Sequence, residues 1–86
     1  REYVAMKVRY VGTTFGFGID GLTNHKIYNC ISIESPFLRV IDDSGEDYLY
    51  SAINPGELEG ESEGYWEIIN DNKNRDLFKL MNTNKK

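Results

Sequence analysis

Tyr3 to Val11 alternates cleanly, with Val4, Met6, Val8 and Tyr10 on one face and Lys7 and Arg9 on the other. That period of two belongs to a half-buried strand. Met6-Lys7-Val8 reads as a natural start, with residues 1–5 as an extension ahead of it. Gly12 to Lys26 is rich in Gly and Thr, carries no helical period and reads as a loop. A second strand follows over Lys26 to Glu34, dense in β-branched and aromatic residues. Its parity breaks, because Tyr28 and Cys30 share one face while Ile31 and Ile33 share the other. Either both faces are covered, or a bulge near Ile31–Ser32 resets the register. Ser35-Pro36 then interrupts the ladder, since proline has no N–H to donate.

Phe37 to Ile41 reads as the third strand, followed by Asp42-Asp43-Ser44-Gly45 as a hairpin turn with Gly45 supplying a positive φ. Glu46 to Ser51 is the fourth strand. Ala52 to Gly64 is a polar loop punctuated by Pro55, Gly56, Gly60 and Gly64, and Gly64 to Asn70 is the fifth strand. Five short strands with turn signals between them predict an all-β fold, a small barrel or sandwich, over residues 1–69. Residues 70–86 form a polar, basic tail. Within it, Leu77, Leu80 and Met81 have the i, i+3, i+4 spacing of one helix face and predict a short helix over 75–82. A helix that short needs a surface to dock on: the open end of the chain's own barrel is favoured, and a short partner motif is the alternative.

The order of these elements resembles a five-stranded SH3-like barrel. More narrowly, the chain is similar to a family of small SH3-like proteins of Gram-positive bacteria and their phages, most without an assigned function. The resemblance rests on Lys7-Val8-Arg9-Tyr10-Val11-Gly12, Leu22-Thr23-Asn24-His25-Lys26-Ile27-Tyr28, Ile31-Ser32-Ile33-Glu34 and Trp66-Glu67-Ile68-Ile69. Its most distinctive part is Leu38-Arg39-Val40-Ile41-Asp42-Asp43-Ser44-Gly45-Glu46-Asp47-Tyr48-Leu49-Tyr50. It implies the architecture of residues 6–69 and little about activity. The acidic loop over 52–64 is longer than the family's usual link, and the tail has no counterpart in it. The Ala-Leu-Tyr-Asp-Tyr motif of signalling SH3 domains is missing after the first strand, so proline-rich peptide binding is not implied.

Composition narrows the class. A chain of 86 residues with 40% hydrophobic and 28% charged residues is one globular domain and not a disordered segment. Six Tyr, four Phe and one Trp are the likeliest source of core area. No apolar run approaches the ~18 residues of a membrane span. One cysteine excludes an internal disulfide and points to a cytoplasmic setting. The net charge of −4 argues against a general nucleic-acid binder.

Several motifs have bland readings that outweigh chemical ones. Gly16-Phe17-Gly18-Ile19-Asp20-Gly21 spells G-x-G-x-x-G, but a strand follows it instead of the helix a dinucleotide site requires. His25 and Cys30 lack a third orienting group, so a surface histidine and a buried structural cysteine are expected. One His and one Cys are too few for a structural zinc site. Asp42, Asp43, Glu46 and Asp47 fail EF-hand spacing and read as a solvated hairpin tip. Tyr48, Tyr50, Tyr65 and Trp66 read partly as core, because alternation turns some of them inward. No catalytic, metal-ligating or cofactor-binding residue is assigned.

Charge distribution carries the functional expectation. Nine acidic and no basic residues lie between Asp42 and Glu67, whereas the stretch after Asn70 has five basic against two acidic. The expectation is a non-enzymatic protein-interaction module whose acidic side steers a basic protein partner. Contact is expected through Glu57, Glu59, Glu61, Glu63 and Tyr65, or through the tail. The alternatives are an acidic DNA mimic of phage type, and a weak nucleic-acid binder using Lys7, Arg9, Arg39 and the tail lysines. A small thiol hydrolase at His25 and Cys30 ranks below both.

Overall fold

The computed structural model describes residues 6–16, 21–56 and 64–83. Five antiparallel strands form one sheet: β1 (Met6–Val11), β2 (Ile27–Glu34), β3 (Phe37–Ile41), β4 (Asp47–Ser51) and β5 (Tyr65–Asn70), followed by the helix α1 (Asp76–Thr83). The spatial order is β4-β3-β2-β1-β5, so four strands run as a meander and the fifth returns beside the first. Apart from the start of the first strand, each boundary lies close to its sequence expectation. Residues 1–5, with Tyr3 and Val4 of the expected first strand, lie outside the described residues.

Alternation places the core. Val8 and Tyr10 of β1 are fully buried, and each faces an aromatic partner across a ladder: Val8 opposite Tyr28, Tyr10 opposite Trp66. The parity break in β2 is a bulge, with the β2–β3 register shifting between Cys30 and Ser32. Cys30 keeps the inward parity of Tyr28, and the one extra residue leaves Ile31 exposed and brings Ile33 round to pack against the core. Ser35-Pro36, whose peptide is cis, does not separate β2 from β3. Pairing runs to Glu34 opposite Phe37, so these two residues are the hairpin turn itself.

Rings knit the interior together. Tyr10 meets Trp66 at 5.9 Å and Phe15 at 6.0 Å between centroids, and Tyr28 meets Trp66 at 6.4 Å, all edge to face. Such pairs add about 0.5–1.5 kcal/mol each beyond the area they bury. The β1–β2 connection folds back on itself through a bridge between Phe15 and Leu22, which drives Leu22 fully into the core. Gly21 makes this possible: its φ is 138°, and a Cβ there would strike the Phe15 carbonyl.

The helix docks on the same core. Leu77 is fully buried, with Leu80 and Met81 packed against the cluster as their spacing predicts. Its amino end is held by two residues the sequence reading passed over. Asp71 accepts from the amides of Leu77 and Phe78 at 3.0 Å, and Asn72 Oδ1 accepts from the Asp76 amide at 2.9 Å. These bonds satisfy N–H groups that the helix itself cannot.

Candidate functional site

Tyr65 is the one expected contact residue that can be placed; Glu57, Glu59, Glu61 and Glu63 lie outside the described residues. On β5, Trp66 and Ile68 turn inward while Tyr65, Glu67 and Ile69 turn out, so Tyr65 is 53% exposed. It stands on the rim of an apolar groove of about 440 Å³, lined by Ala52, Ile53, Tyr65, Trp66, Phe78 and Met81. Trp66 is buried and forms its floor, while Ile53 and Phe78 are exposed on its walls. Phe78 reaches this position because Leu77 anchors the helix, leaving the next side chain on the outer face. The Arg75 guanidinium lies 4.6 Å from the Phe78 ring centroid, a cation–π contact on the outer face of the helix.

A polar depression flanks the other side of Tyr65, lined also by Arg9, Val11, His25 and Glu67. The Arg9 guanidinium donates to Glu67 at 3.2 Å. Arg39 is likewise engaged, with Glu34 at 2.7 Å and Asp47 at 3.0 Å.

The hairpin tip meets its expectation at Glu46 and Asp47, which are exposed, and departs from it at Asp42 and Asp43. Asp42 and Asp43 are not solvated; their side chains turn inward and hold the β1–β2 connection. Asp43 Oδ1 accepts from Tyr28 Oη at 2.8 Å and Lys26 Nζ at 2.9 Å, and its Oδ2 accepts from Thr23 Oγ1 at 2.8 Å. Asp42 accepts from the Ser44 amide, the Ser44 hydroxyl and, at 2.6 Å, Tyr50 Oη. Burial alone would raise both carboxyls. The Ser44 and Tyr50 hydroxyls with the Ser44 and Gly21 amides outweigh it at Asp42, and Lys26, Tyr28 and Thr23 do so at Asp43, so both sit below the ordinary range. The Tyr28 phenol is pushed up to about 12, first by burial and further by the Asp43 carboxylate. Sequence reasoning missed this network because its donors come from three separate segments. The clue was the density of hydroxyls in Thr23, Tyr28, Ser44 and Tyr50.

Cys30 is buried, and its thiol donates to the Ser32 carbonyl at 3.4 Å. Burial pushes the thiol up to about 11. His25 is exposed at a left-handed turn with φ 70°. A thiol held this far above neutrality is a poor nucleophile. Among the described residues no three His, Cys, Asp or Glu side chains are arranged to hold a metal ion. Of the G-x-G-x-x-G run only Gly16 and Gly21 are described; residues 17–20, Gly18 included, lie outside. Among the described residues no helix is long and apolar enough to cross a membrane.

No protein-family model, curated protein or solved structure matches the chain.

Proposed function

We propose that this chain is a non-enzymatic protein-interaction module on a small SH3-like barrel, and that it docks a basic, apolar-anchored segment of a protein partner in the Tyr65 groove. The observation that carries the reading is the exposure of Tyr65, Ile53 and Phe78 around a buried tryptophan floor. Apolar side chains left in water at one place are the ordinary mark of a contact surface. The charge sign follows from the sequence, in which Tyr65 lies within the acidic stretch from Asp42 to Glu67. Negative charge in the same stretch favours encounter with basic partners, offset in part by Arg75 at the Phe78 wall. The barrel reading is supported by the return of β5 to β1 and by a bond between the two edge strands, from Trp66 to Ser51. A reducing cytoplasmic setting fits the single cysteine.

Direct nucleic-acid binding is the weaker reading, because Arg9 and Arg39 already face carboxylates. Affinity purification at low salt, with mass spectrometry, tests the proposal. Wild-type protein is compared with a Tyr65→Ala/Phe78→Ala variant and with reversal of Glu57, Glu59, Glu61 and Glu63 to Lys. A partner lost in both variants supports it. A partner retained by the groove variant, or none recovered by the wild type, removes it.

A further inference from the structure

A second cavity, of about 540 Å³, lies beside β4, lined by Phe15, Gly16, Gly21, Asp42, Tyr48 and Tyr50 among others. Tyr48 and Tyr50 pair with Val40 and Leu38, both buried, and so lie on the inward face of β4. Because β4 is the last strand of the sheet, Tyr48 nevertheless stays 46% exposed. The Phe15 and Tyr50 rings are tilted by 59° at 6.3 Å, giving the cavity two non-parallel aromatic walls.

Asp42 supplies the charge. It is only 5% exposed, and its partners among the described residues are hydroxyls and amides with no cation, whereas neighbouring Asp43 is paired with Lys26. Outside the lining, the Glu46 carboxylate accepts from Tyr48 Oη at 3.3 Å and adds a second negative charge near that ring. A buried negative charge beside aromatic faces attracts a positive group. The type of cation follows from hydrogen-bond supply. The Asp42 oxygens are occupied by Ser44 and Tyr50, and ring faces accept only weakly. A guanidinium or primary ammonium must give up tightly held water against these ring walls. A quaternary ammonium has no N–H to desolvate.

We propose that this cavity binds an alkylated ammonium group, a quaternary nitrogen carrying one positive charge. The site is separate from the Tyr65 groove and does not depend on it.

The test is an amide-shift titration of the labelled protein with tetramethylammonium chloride, against sodium chloride at matched ionic strength. Saturable shifts at Gly21, Tyr48, Leu49 and Tyr50 are expected, with ammonium chloride binding more weakly. Tyr48→Leu, at a half-exposed position, should weaken binding roughly three- to tenfold. Glu46→Gln, fully on the surface, should weaken it by a smaller factor, and Tyr65→Ala should leave it unchanged. Choline and a short peptide carrying trimethyllysine distinguish the source. Tighter binding of the peptide assigns the group to a modified protein, and equal binding assigns it to a free metabolite. Shifts that follow sodium chloride, equal binding of ammonium, or an unaltered affinity in Tyr48→Leu would overturn the proposal.

Discussion

The indole N–H of Trp66 donates to the backbone carbonyl of Ser51 at 3.0 Å, joining β5 to β4, the two outer strands of the sheet. Among the described residues these strands share no ladder. The sheet therefore curls far enough for a side chain to span its open edges. Trp66 also floors the groove, so one residue links the fold's curvature to its exposed apolar surface.

Trp66→Phe keeps a ring in the core and removes this donor. It leaves the Ser51 carbonyl unpaired and a small void, with an expected cost of about 1–3 kcal/mol. Urea denaturation should show a lower midpoint with an unchanged slope. An unchanged midpoint would mean that the bond between the edges contributes nothing.

Gly64 and Gly45 offer a matched comparison. Both have positive φ, 75° and 86°, but a Cβ at Gly64 would lie 2.8 Å from the Val11 carbonyl oxygen while one at Gly45 meets nothing within 4 Å. Gly45→Ala should cost about 1 kcal/mol from backbone strain alone. Gly64→Ala should cost clearly more, because the approach of residue 64 to β1 must open. Equal thermal midpoints for the two variants would refute this close approach.

The carboxylates at the β3–β4 turn set the acid limb of stability. Asp42 and Asp43 have folded values below the ordinary ~3.9, so the stability they give is fully present above that value. It is lost as pH falls from about 4 through the folded values. Asp43→Asn removes the charge facing Lys26 and should cost about 1–3 kcal/mol at pH 7. Measured against pH, the wild-type advantage should shrink below about pH 4. An advantage independent of pH would contradict the assignment.

How much of this was legible depended on the range of the interactions. Val8 and Tyr10 were placed by alternation, a local property of the backbone, and the parity break at Cys30–Ser32 marked a real bulge. The helix face at Leu77, Leu80 and Met81 was equally local. Asp42 and Asp43 were misread because Asp-rich turns are usually hydrated. Their inward turn depends on Thr23, Lys26, Tyr28 and Tyr50, brought together only by the fold. The groove was half legible, since Tyr65 could be read outward, but its neighbours Ile53 and Phe78 come from the loop and the helix. Asp71 and Asn72 were readable as a helix-capping pair and were overlooked.

That cap can be measured. Asp71→Ala frees the Leu77 and Phe78 amides and should destabilise the helix by about 0.5–2 kcal/mol. Hydrogen exchange should rise first in residues 76–82, because loss of the cap exposes the first turn. Uniform exchange across sheet and helix would indicate that the cap has no local role.

Cys30 reports on the integrity of the core. With its thiol pushed up to about 11 and buried, iodoacetamide at neutral pH should label it slowly in the native protein and quickly in urea. Rapid native labelling would reopen a nucleophilic role.

The most direct measurement for the central claim is selection of binders from a random peptide library displayed on phage, using the whole chain as bait. Groove docking predicts enriched peptides that combine Lys or Arg with an aromatic or large aliphatic anchor. Their affinity should fall at least tenfold in Tyr65→Ala/Phe78→Ala and weaken as salt rises, roughly as expected for screened charges. Enrichment of acidic peptides, or binding indifferent to the groove variant, would contradict it.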